Sequence, residues 1–342
     1  MVNYTYMARK VTINDIAEIA GVSKATVSFF LNGKTNKMSA ETYERIRSAI
    51  EETGYSPSVA ARSLNDKSPH LFGVIIGNIT KPFANRIVKG IEDYANENSY
   101  MTIVASSEFE PEREMSYIKS MLALGVDGFL IQPTVNFNEI RKTLDIDKPI
   151  VFFDSAPAGE DQMYVKTDNY ESVRHATSRL IEKGYTHFII ISNNPYVLQT
   201  RIERSRGCTD LLEEKKIRYD RIILPADADQ ELLIPQLYPL LDKYRNVCIF
   251  TLNSTLLQLT WTALAPYRWR VPEIGLIGYD HETWCDYVVP SITTISQPSY
   301  EEGYTAAQIL MDAIHERHEI DRVQVLKSEL RERQSTDLQP EQ

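Results

Sequence analysis

Short apolar runs alternate with amphipathic stretches of helical length from Leu71 onward, and this alternation constrains the fold more than any other feature. The stretches between the runs include Phe83–Asn98 and Glu112–Leu124. Such alternation predicts parallel sheets with helices on both faces. About 260 residues of this kind exceed what one open sheet usually holds, so we expect two doubly wound parallel-sheet subdomains with a cleft between them. The apolar runs include Leu71–Gly77, Met101–Ala105, Gly128–Gln132, Ile150–Asp154, Phe188–Ser192, Arg221–Leu224, Val247–Thr251 and Ile274–Asp280.

Two short helical segments separated by a glycine occupy the start of the chain. Thr12 is placed to cap the first helix, with Asp15 three residues further on as in a capping box, and Gly21 ends that helix. Ser23 caps a second helix, Lys24–Asn32, whose outward side chains are short enough to approach DNA closely. This pattern predicts a helix-turn-helix whose second helix enters the major groove.

A third helix, from the Ser39 cap to about Thr53, completes an N-terminal three-helix domain. A three-helix bundle without a DNA-binding role is the alternative that these residues leave open. For a DNA-binding domain, we expect contacts from residues at the helix starts and along the second helix. These residues are Thr12, Ser23, Lys24, Ala25, Thr26, Ser28, Phe29 and Asn32.

A short segment beginning at Pro57 and Ser58 follows the three helices and runs to Leu64, before the polar linker 65–69. It is one or two turns long, too short to be a stable helix alone in water. The helix-turn-helix, this Gly-Tyr-x-Pro segment and the βα repeat together resemble the lactose-repressor (LacI/GalR) family of bacterial transcription regulators, over essentially the whole chain. The resemblance implies a periplasmic-binding-protein-like core, and further DNA contacts from Ser58, Ala61 and Leu64.

Two positions of the DNA-binding region carry specific hypotheses. Leu64 matches the family's hinge leucine, which wedges into the minor groove and kinks the operator; a linker leucine packed on the core is the alternative. Phe29 stands where many relatives carry an arginine that reads guanine. A phenylalanine cannot make that bidentate contact but is suited to pack on a thymine methyl. Lys24 therefore becomes the main candidate for a direct hydrogen bond to a base.

Length, composition and cysteine usage narrow the class of protein. The chain has 342 residues, 43% hydrophobic and 25% charged, which is ordinary for a globular protein with two or three cores. We expect no membrane span, no export signal and a cytoplasmic location, where three scattered cysteines stay reduced. The net charge is −10, but residues 1–67 carry nine Lys/Arg against seven Asp/Glu, and the remainder carries 28 against 40. The excess of positive charge therefore lies in the expected DNA-binding region.

Polar side chains follow several predicted strands, where ligands bind in folds of this class. Carboxylates, amides and a guanidinium converging on a cleft would hydrogen-bond a small polyol or heterocycle; turn and cap roles are the alternative for each residue. The resemblance matches Asp280, Arg204, Asn253 and Asp154 to effector-binding positions of the family, and the pair 168–169 to its crossover between subdomains. The candidate effector-binding residues are Asp154, Asn193, Thr200, Arg204, Asn253 and Asp280.

Lys81 departs from the family pattern, because Lys81-Pro-Phe-Ala replaces a more usual Asn-Pro-Phe. It places a cation at the rim of the expected pocket, where with Arg201 and Arg204 it would favour an acidic sugar or another anionic effector. A lysine that simply points into water is the alternative.

The resemblance implies a homodimeric repressor that reads a pseudo-palindromic double-stranded DNA operator. A small sugar-like effector in the cleft would control a carbohydrate-utilisation operon. We expect the helix-turn-helix domain at residues 1–57, the hinge helix and linker at 58–68, the core at 69–337 and a tail at 338–342. Within the core, the expected N-subdomain is about 69–168 plus 297–325, and the C-subdomain is about 169–296 plus 326–337.

Other classes fit the sequence less well. A regulator that answers to a protein co-repressor, as in the catabolite-control branch of the family, is one alternative, and the sequence gives no positive sign of it. A solute-binding protein would share the core but not the helix-turn-helix. An enzyme is disfavoured by the absence of dinucleotide, phosphate-loop and nucleophile-elbow motifs. We therefore expect no catalytic residue, no cofactor and no metal site, and a solvated helix end around His315 and His318.

Overall fold

The N-terminal unit, Met1–Pro69, is helical where its structure is described. The computed structural model describes residues 11–31, 34, 36, 38–55, 69–157, 159, 162–194, 198–317 and 321–338. Four residues expected to contact DNA lie outside these ranges, together with the expected hinge helix. They are Asn32, Ser58, Ala61 and Leu64.

Helix α1 (Ile13–Ala20) confirms the predicted caps at both of its ends. The Thr12 hydroxyl accepts from the Asp15 amide at 3.4 Å, and the Asp15 carboxylate accepts from the Thr12 amide at 2.7 Å, which forms the capping box. Gly21 ends the helix in the left-handed conformation, with φ of 62°. The turn therefore forms where the sequence predicts it.

Helices α2 (Lys24–Leu31) and α3 (Ala40–Thr53) complete the described part of this unit. The Ser23 hydroxyl caps α2 by accepting from the Thr26 amide at 3.1 Å, and Ser39 caps α3 in the same way. The three helices share a small core whose fully buried members are Ile16, Val27 and Ile46. This core fixes which face of α2 points outward.

The second unit, His70–Gln342, contains two six-stranded sheets. Its strands are β1 (Leu71–Ile76), β2 (Met101–Ser106), β3 (Gly128–Ile131), β4 (Ile150–Phe153), β5 (Met163–Thr167), β6 (His187–Asn193), β7 (Arg218–Leu224), β8 (Val247–Thr251), β9 (Ile274–Tyr279), β10 (Thr293–Ser296), β11 (Val323–Leu326) and β12 (Glu329–Arg331). The first sheet has the order β11-β5-β4-β3-β1-β2 with parallel pairing throughout. The second has the order β12-β10-β9-β8-β6-β7, in which β12 is antiparallel to β10.

Helices cover both faces of each sheet. They are α4 (Pro82–Glu97), α5 (Pro111–Ala123), α6 (Phe137–Leu144), α7 (Asn169–Glu182), α8 (Gln199–Glu214), α9 (Gln230–Lys243), α10 (Ser254–Ala263), α11 (Trp284–Tyr287) and α12 (Ser299–Ile314). In β1, Phe72 and Val74 pack toward α4 and α12, while Ile75 packs toward α5 and α6. Alternate residues of β6 divide in the same way between α9 and α10 on one face and α7 and α8 on the other. The predicted fold class, two doubly wound subdomains, is confirmed.

The chain passes between the two sheets at three places: after β5, after β10 and after β11. Each sheet is therefore completed by segments that are distant in sequence. In the described part of the chain, no helix combines the length and apolar character needed to span a bilayer.

Candidate functional site

A cavity of about 310 Å³ lies where the carboxyl ends of strands from both sheets face each other. Parallel strands direct the residues that follow them to the same edge of a sheet, so side chains distant in sequence meet there. All six predicted effector residues lie on its wall: Asp154, Asn193, Thr200, Arg204, Asn253 and Asp280.

Arg204, on α8, is the buried cation at the centre of this wall, with 6% of its surface exposed. Its Nε donates to Asn169 Oδ1 at 2.7 Å, and its Nη1 donates to the Leu252 carbonyl at 3.3 Å. Its guanidinium lies over the Tyr279 ring at 3.8 Å from the centroid. Asp280 of the same subdomain and Asp154 of the opposite subdomain each lie 3.9 Å from the Arg204 guanidinium, so one cation lies between two carboxylates.

Asp154 follows β4 with a φ of 63°, a left-handed conformation that aspartate tolerates better than most residues. Two neighbours hold it there. Its amide donates to Glu302 Oε1 at 2.6 Å, and Gln132 Nε2 donates to Asp154 Oδ2 at 2.7 Å. Burial raises the pKa of Asp154, while Arg204 and the Gln132 hydrogen bond oppose that rise.

Asp280 follows β9 and also has a left-handed backbone, with φ of 72°. Gln297 donates to its Oδ1, and the same glutamine accepts from the Thr167 hydroxyl at 2.6 Å. Thr167 ends β5 of the first sheet, so Gln297 joins the two subdomains at their crossover. The neighbouring Asp168 accepts from the Ser328 amide at 2.8 Å at a second crossover.

The two asparagines of the set are already engaged within the protein. Asn193 Nδ2 donates to the Leu224 and Pro225 carbonyls at 3.1 and 3.0 Å, and Asn193 Oδ1 accepts from Asn253 at 2.9 Å. Asn253 also caps α10 by accepting from the Leu256 amide at 2.9 Å. The cap role that the sequence left open is therefore real for Asn253, and both amides have less capacity left for a ligand than Arg204 or Asp280.

Sequence reasoning missed four residues that support the predicted ones: Gln132, Gln297, Glu302 and Tyr279. Gln132 and Gln297 each come directly after a strand, the signal that singled out Asp154 and Asp280. Tyr279 is the last residue of β9, so the strand-end signal could have found it as well, whereas Glu302 lies on α12 and no local pattern marks it. Glu302 is identified by its contact with the Asp154 amide rather than by a place at a strand end.

Lys81 and Arg201 add positive charge to the cavity wall. Lys81 precedes α4, and its Nζ donates to the Thr255 hydroxyl of the opposite subdomain at 3.0 Å. Arg201 lies three residues before Arg204 in the first turn of α8, and its Nη1 donates to the Asn194 carbonyl at 3.4 Å. Both cations thus lie at the places that the sequence suggested for an anionic effector.

The second candidate site is the outward face of α2. Lys24 and Ala25 are exposed, and Phe29 keeps 36% of its surface accessible. The Thr26 and Ser23 hydroxyls are 2.8 Å apart, so the N-terminal cap also orders this face. Ser28 lies half-buried on the same helix, and Thr12 is exposed at the start of α1. The described members of the predicted DNA-contacting set therefore lie on α2 and its N-cap, with Thr12 separate at the start of α1.

The side chain of His281, next to Asp280, contacts residues that do not line the cavity. Its Nε2 lies 3.3 Å from Asp286 and its Nδ1 lies 3.2 Å from the Thr294 hydroxyl. Burial lowers the pKa of His281, with Asp286 opposing that shift. Within the ranges that the structure describes, no cluster of three or more His, Cys, Asp or Glu residues is suited to hold a metal ion.

Comparison with known families matches most of the chain. Residues 12–58 match the family model described as bacterial regulatory proteins, lacI family. Residues 69–238 match the model for periplasmic binding proteins and sugar binding domain of the LacI family, and residues 177–336 match a periplasmic binding protein-like domain.

The relatives are transcriptional regulators. The chain is 31% identical to the Probable HTH-type transcriptional regulator EndR of Paenibacillus polymyxa, over 90% of this chain and 92% of the relative. It is 29% identical to the HTH-type transcriptional repressor PurR of Vibrio atlanticus (strain LGP32), over 94% and 97%. Among solved structures, the transcriptional regulator CelR–cellobiose complex superimposes with a TM-score of 0.66 and 25% identity, over 95% of this chain and 99% of that one.

Proposed function

The chain belongs to the LacI family of bacterial regulatory proteins, and we propose that it is a cytoplasmic, sequence-specific repressor of a carbohydrate-utilisation operon. A small sugar-like effector, bound in the cleft of the second unit, controls its affinity for DNA. One observation carries this proposal: polar side chains from both sheets surround one cavity, with Arg204 between Asp154 and Asp280.

The chemistry of the cleft supports a polyol as the ligand. Asp280 and Asp154 are acceptors for sugar hydroxyls, and Arg204 presents donors between them. At about 310 Å³, the cavity lies at the small end of the range for ligand pockets, which suits a molecule of monosaccharide size. The carbohydrate in the CelR–cellobiose complex, a regulator with 25% identity to this chain, agrees with this ligand class.

The N-terminal unit supplies the proposed operator contacts. The outward face of α2 would enter the major groove, with Lys24 donating to a base and Phe29 packing on a thymine methyl. The start of α1, at Thr12, directs the positive end of a helix dipole toward DNA phosphate. Two copies in a homodimer would read the two halves of a pseudo-palindrome, with Leu64 as the wedge in the minor groove between them.

A ligand that touches both subdomains can change the angle between them. Asp154 belongs to the subdomain of the first sheet, and Arg204 and Asp280 belong to that of the second. A ligand that binds one angle better shifts the population toward it, by no more than the difference in its affinity for the two states. The effector would act on operator affinity through this shift, with a coupling of about 1–3 kcal/mol.

The first test identifies the effector and then removes one of its contacts. Thermal unfolding of the full chain against sugars, sugar acids, sugar phosphates and nucleobases finds the ligand, since 100 times its Kd adds about 2.7 kcal/mol of stability. Asp280→Asn removes a charged acceptor while keeping the side chain's shape. We expect this variant to bind the effector about 10-fold or more weakly, because hydrogen bonds to charged groups are strong.

Fluorescence anisotropy with an operator duplex selected from random DNA supplies the readout. We expect Asp280→Asn to bind that duplex and to require correspondingly more effector for the same response. Arg206→Gln, a change at an exposed position of α8, is the control and should respond normally. Loss of operator binding by Asp280→Asn together with a normal effector response would contradict the proposal.

A further inference from the structure

Two cations of the cleft lie at helix N-termini, where cations are disfavoured. Lys81 is the N-cap of α4, and Arg201 lies in the first turn of α8. The N-terminus of a helix carries partial positive charge and stabilises anions rather than cations. Neither N-cap residue, Lys81 or Leu198, makes a side-chain capping hydrogen bond. The two sites therefore add a side-chain cation to an already positive helix end.

No carboxylate in the described ranges forms an ion pair with either cation. Arg204, one turn further along α8, is compensated by Asp154 and Asp280, each at 3.9 Å. Arg201 instead donates to a backbone carbonyl and Lys81 donates to a hydroxyl. Burial and the neighbouring Arg204 lower the pKa of Arg201, while the Asp154 carboxylate opposes that shift.

The remaining carboxylate on the cavity wall, Glu108, is held by its own subdomain. Asn78 Nδ2 donates to its Oε2 at 2.7 Å, and the Ser106 hydroxyl donates to its Oε1 at 2.7 Å. Glu108 is thus a satisfied acceptor on the side of the first sheet. Lys81 and Arg201 therefore line the cavity without a direct ion pair to any of its described carboxylates.

We infer that the effector is an anionic polyol, whose negative group is bound by Lys81 and Arg201 and whose hydroxyl groups meet Asp280 and Arg204. This inference rests on the proposed function, because it concerns the same cleft. Charge-assisted hydrogen bonds from the ammonium and the guanidinium would satisfy both cations, and the positive helix ends would strengthen them. A carboxylate and a phosphate share this chemistry, so both a sugar acid and a sugar phosphate qualify.

Inorganic phosphate is the first probe, because it carries the anionic group without a sugar. The melting temperature of the full chain is measured against phosphate concentration, at constant ionic strength and in the absence of DNA. We expect phosphate to raise the melting temperature of wild type and of the control Arg206→Gln. Arg201→Gln and Lys81→Gln should each weaken the fitted phosphate affinity by about 10-fold or more.

Two results of the phosphate titration would overturn the inference. One is that phosphate does not raise the melting temperature of wild type. The other is an equal rise in all four proteins, which would report anions bound elsewhere on the chain. Because Arg206→Gln removes the same charge from the same helix at an exposed position, a specific loss in Arg201→Gln cannot come from net charge alone.

Matched sugars then separate the two sources of the anion. The pairs are D-glucuronate and D-galacturonate against D-glucose and D-galactose, with glucose 6-phosphate as the phosphate member. We expect the anionic member to bind about 10-fold or more tightly than its neutral partner, and Arg201→Gln to reduce that preference. A neutral sugar that binds equally well and releases the operator would overturn this inference while leaving the proposed function in place. Failure of the full chain to bind any DNA sequence specifically would overturn the proposed function but not the binding of an anion in the cleft.

Discussion

At the scale of single residues, the positions of the two cleft aspartates follow from the local sequence. Asp154 and Asp280 each end an apolar run, and both adopt the left-handed conformation that aspartate tolerates and β-branched residues do not. Their place at the cleft could therefore be predicted from the chain itself. Glu302 could not, because it meets the Asp154 amide from 148 residues away and lies on an otherwise ordinary helix.

Glu302 is a fully buried carboxyl whose Oε2 has no hydrogen-bond partner in the described structure. Burial raises its pKa well above the usual value, and the nearby Asp154 carboxylate raises it further. The pKa of a glutamate in the unfolded chain is about 4.3. Because the pKa of Glu302 is higher in the folded state, its contribution to the free energy of unfolding is fully present below about pH 4.3 and is lost as pH rises toward the folded-state pKa. We expect Glu302→Gln to escape this loss, because it keeps the Oε1 acceptor and cannot ionise.

The measurement is the free energy of unfolding in urea for wild type and Glu302→Gln, from pH 4 to pH 8. The difference should grow in favour of the variant as pH rises, by at most about 1.4 kcal/mol for each pH unit below the folded pKa. Glu301→Gln, a change at an exposed neighbouring position on α12, should differ from wild type in its free energy of unfolding by an amount that does not change with pH. A flat or falling difference for Glu302→Gln would show that its carboxyl is not held neutral by burial.

At the level of elements, the predicted apolar runs identified strands β1 to β4 and β6 to β9, but not β5, β10, β11 and β12. Six of these eight strands are buried along their whole length, where apolar continuity is a strong signal, while β2 and β7 are partly exposed edge strands. Strands β11 and β12 are edge strands with alternating or partial exposure, so their periodicity is short and weak. Helix α9 contains Pro235 and Pro239, which disfavour a helix, yet burial of its leucine stripe prevails. That stripe is Leu233, Leu237 and Leu241.

The contact between α4 and α12 depends on two glycines and positions Glu302 beneath the cleft. A Cβ at Gly303 would lie 2.0 Å from the Ile87 carbonyl oxygen, and one at Gly90 would lie 2.1 Å from the Tyr300 carbonyl oxygen. Backbone atoms cannot move aside as a side chain can. We expect Gly303→Ala to destabilise the chain by about 1–3 kcal/mol, despite the better helix propensity of alanine.

Urea unfolding of Gly303→Ala beside Glu301→Ala separates packing from helix propensity. The exposed Glu301→Ala change should lie within about 0.5 kcal/mol of wild type. A Gly303→Ala variant as stable as wild type would mean that α4 and α12 can separate without cost. The position of Glu302 would then need another explanation.

At the scale of the whole molecule, alternation predicted the fold class of the core and a cleft between its subdomains, but not the contacts that cross the cleft. Alternation predicts sheets and helices, and it predicts that strand ends share an edge. The partners across the cleft depend on three crossovers between the sheets, and Gln297 at one of them joins Thr167 to Asp280. The contact between Thr167 and Gln297 joins residues 130 apart in the chain, so local pattern leaves it open.

A cleft whose two walls belong to different subdomains makes a reciprocal prediction for the proposed regulator. If the effector weakens operator binding by a given factor, the operator must weaken effector binding by the same factor, expected at about 5–150-fold. The effector Kd measured with and without saturating operator, and the operator Kd with and without saturating effector, supply the two factors. For Asp280→Asn, we expect a higher effector Kd, and a higher effector concentration to reach the same change in operator Kd. An effector that lowers operator affinity while its own affinity ignores the operator would place its action outside this equilibrium, and the cleft would not be the regulatory site.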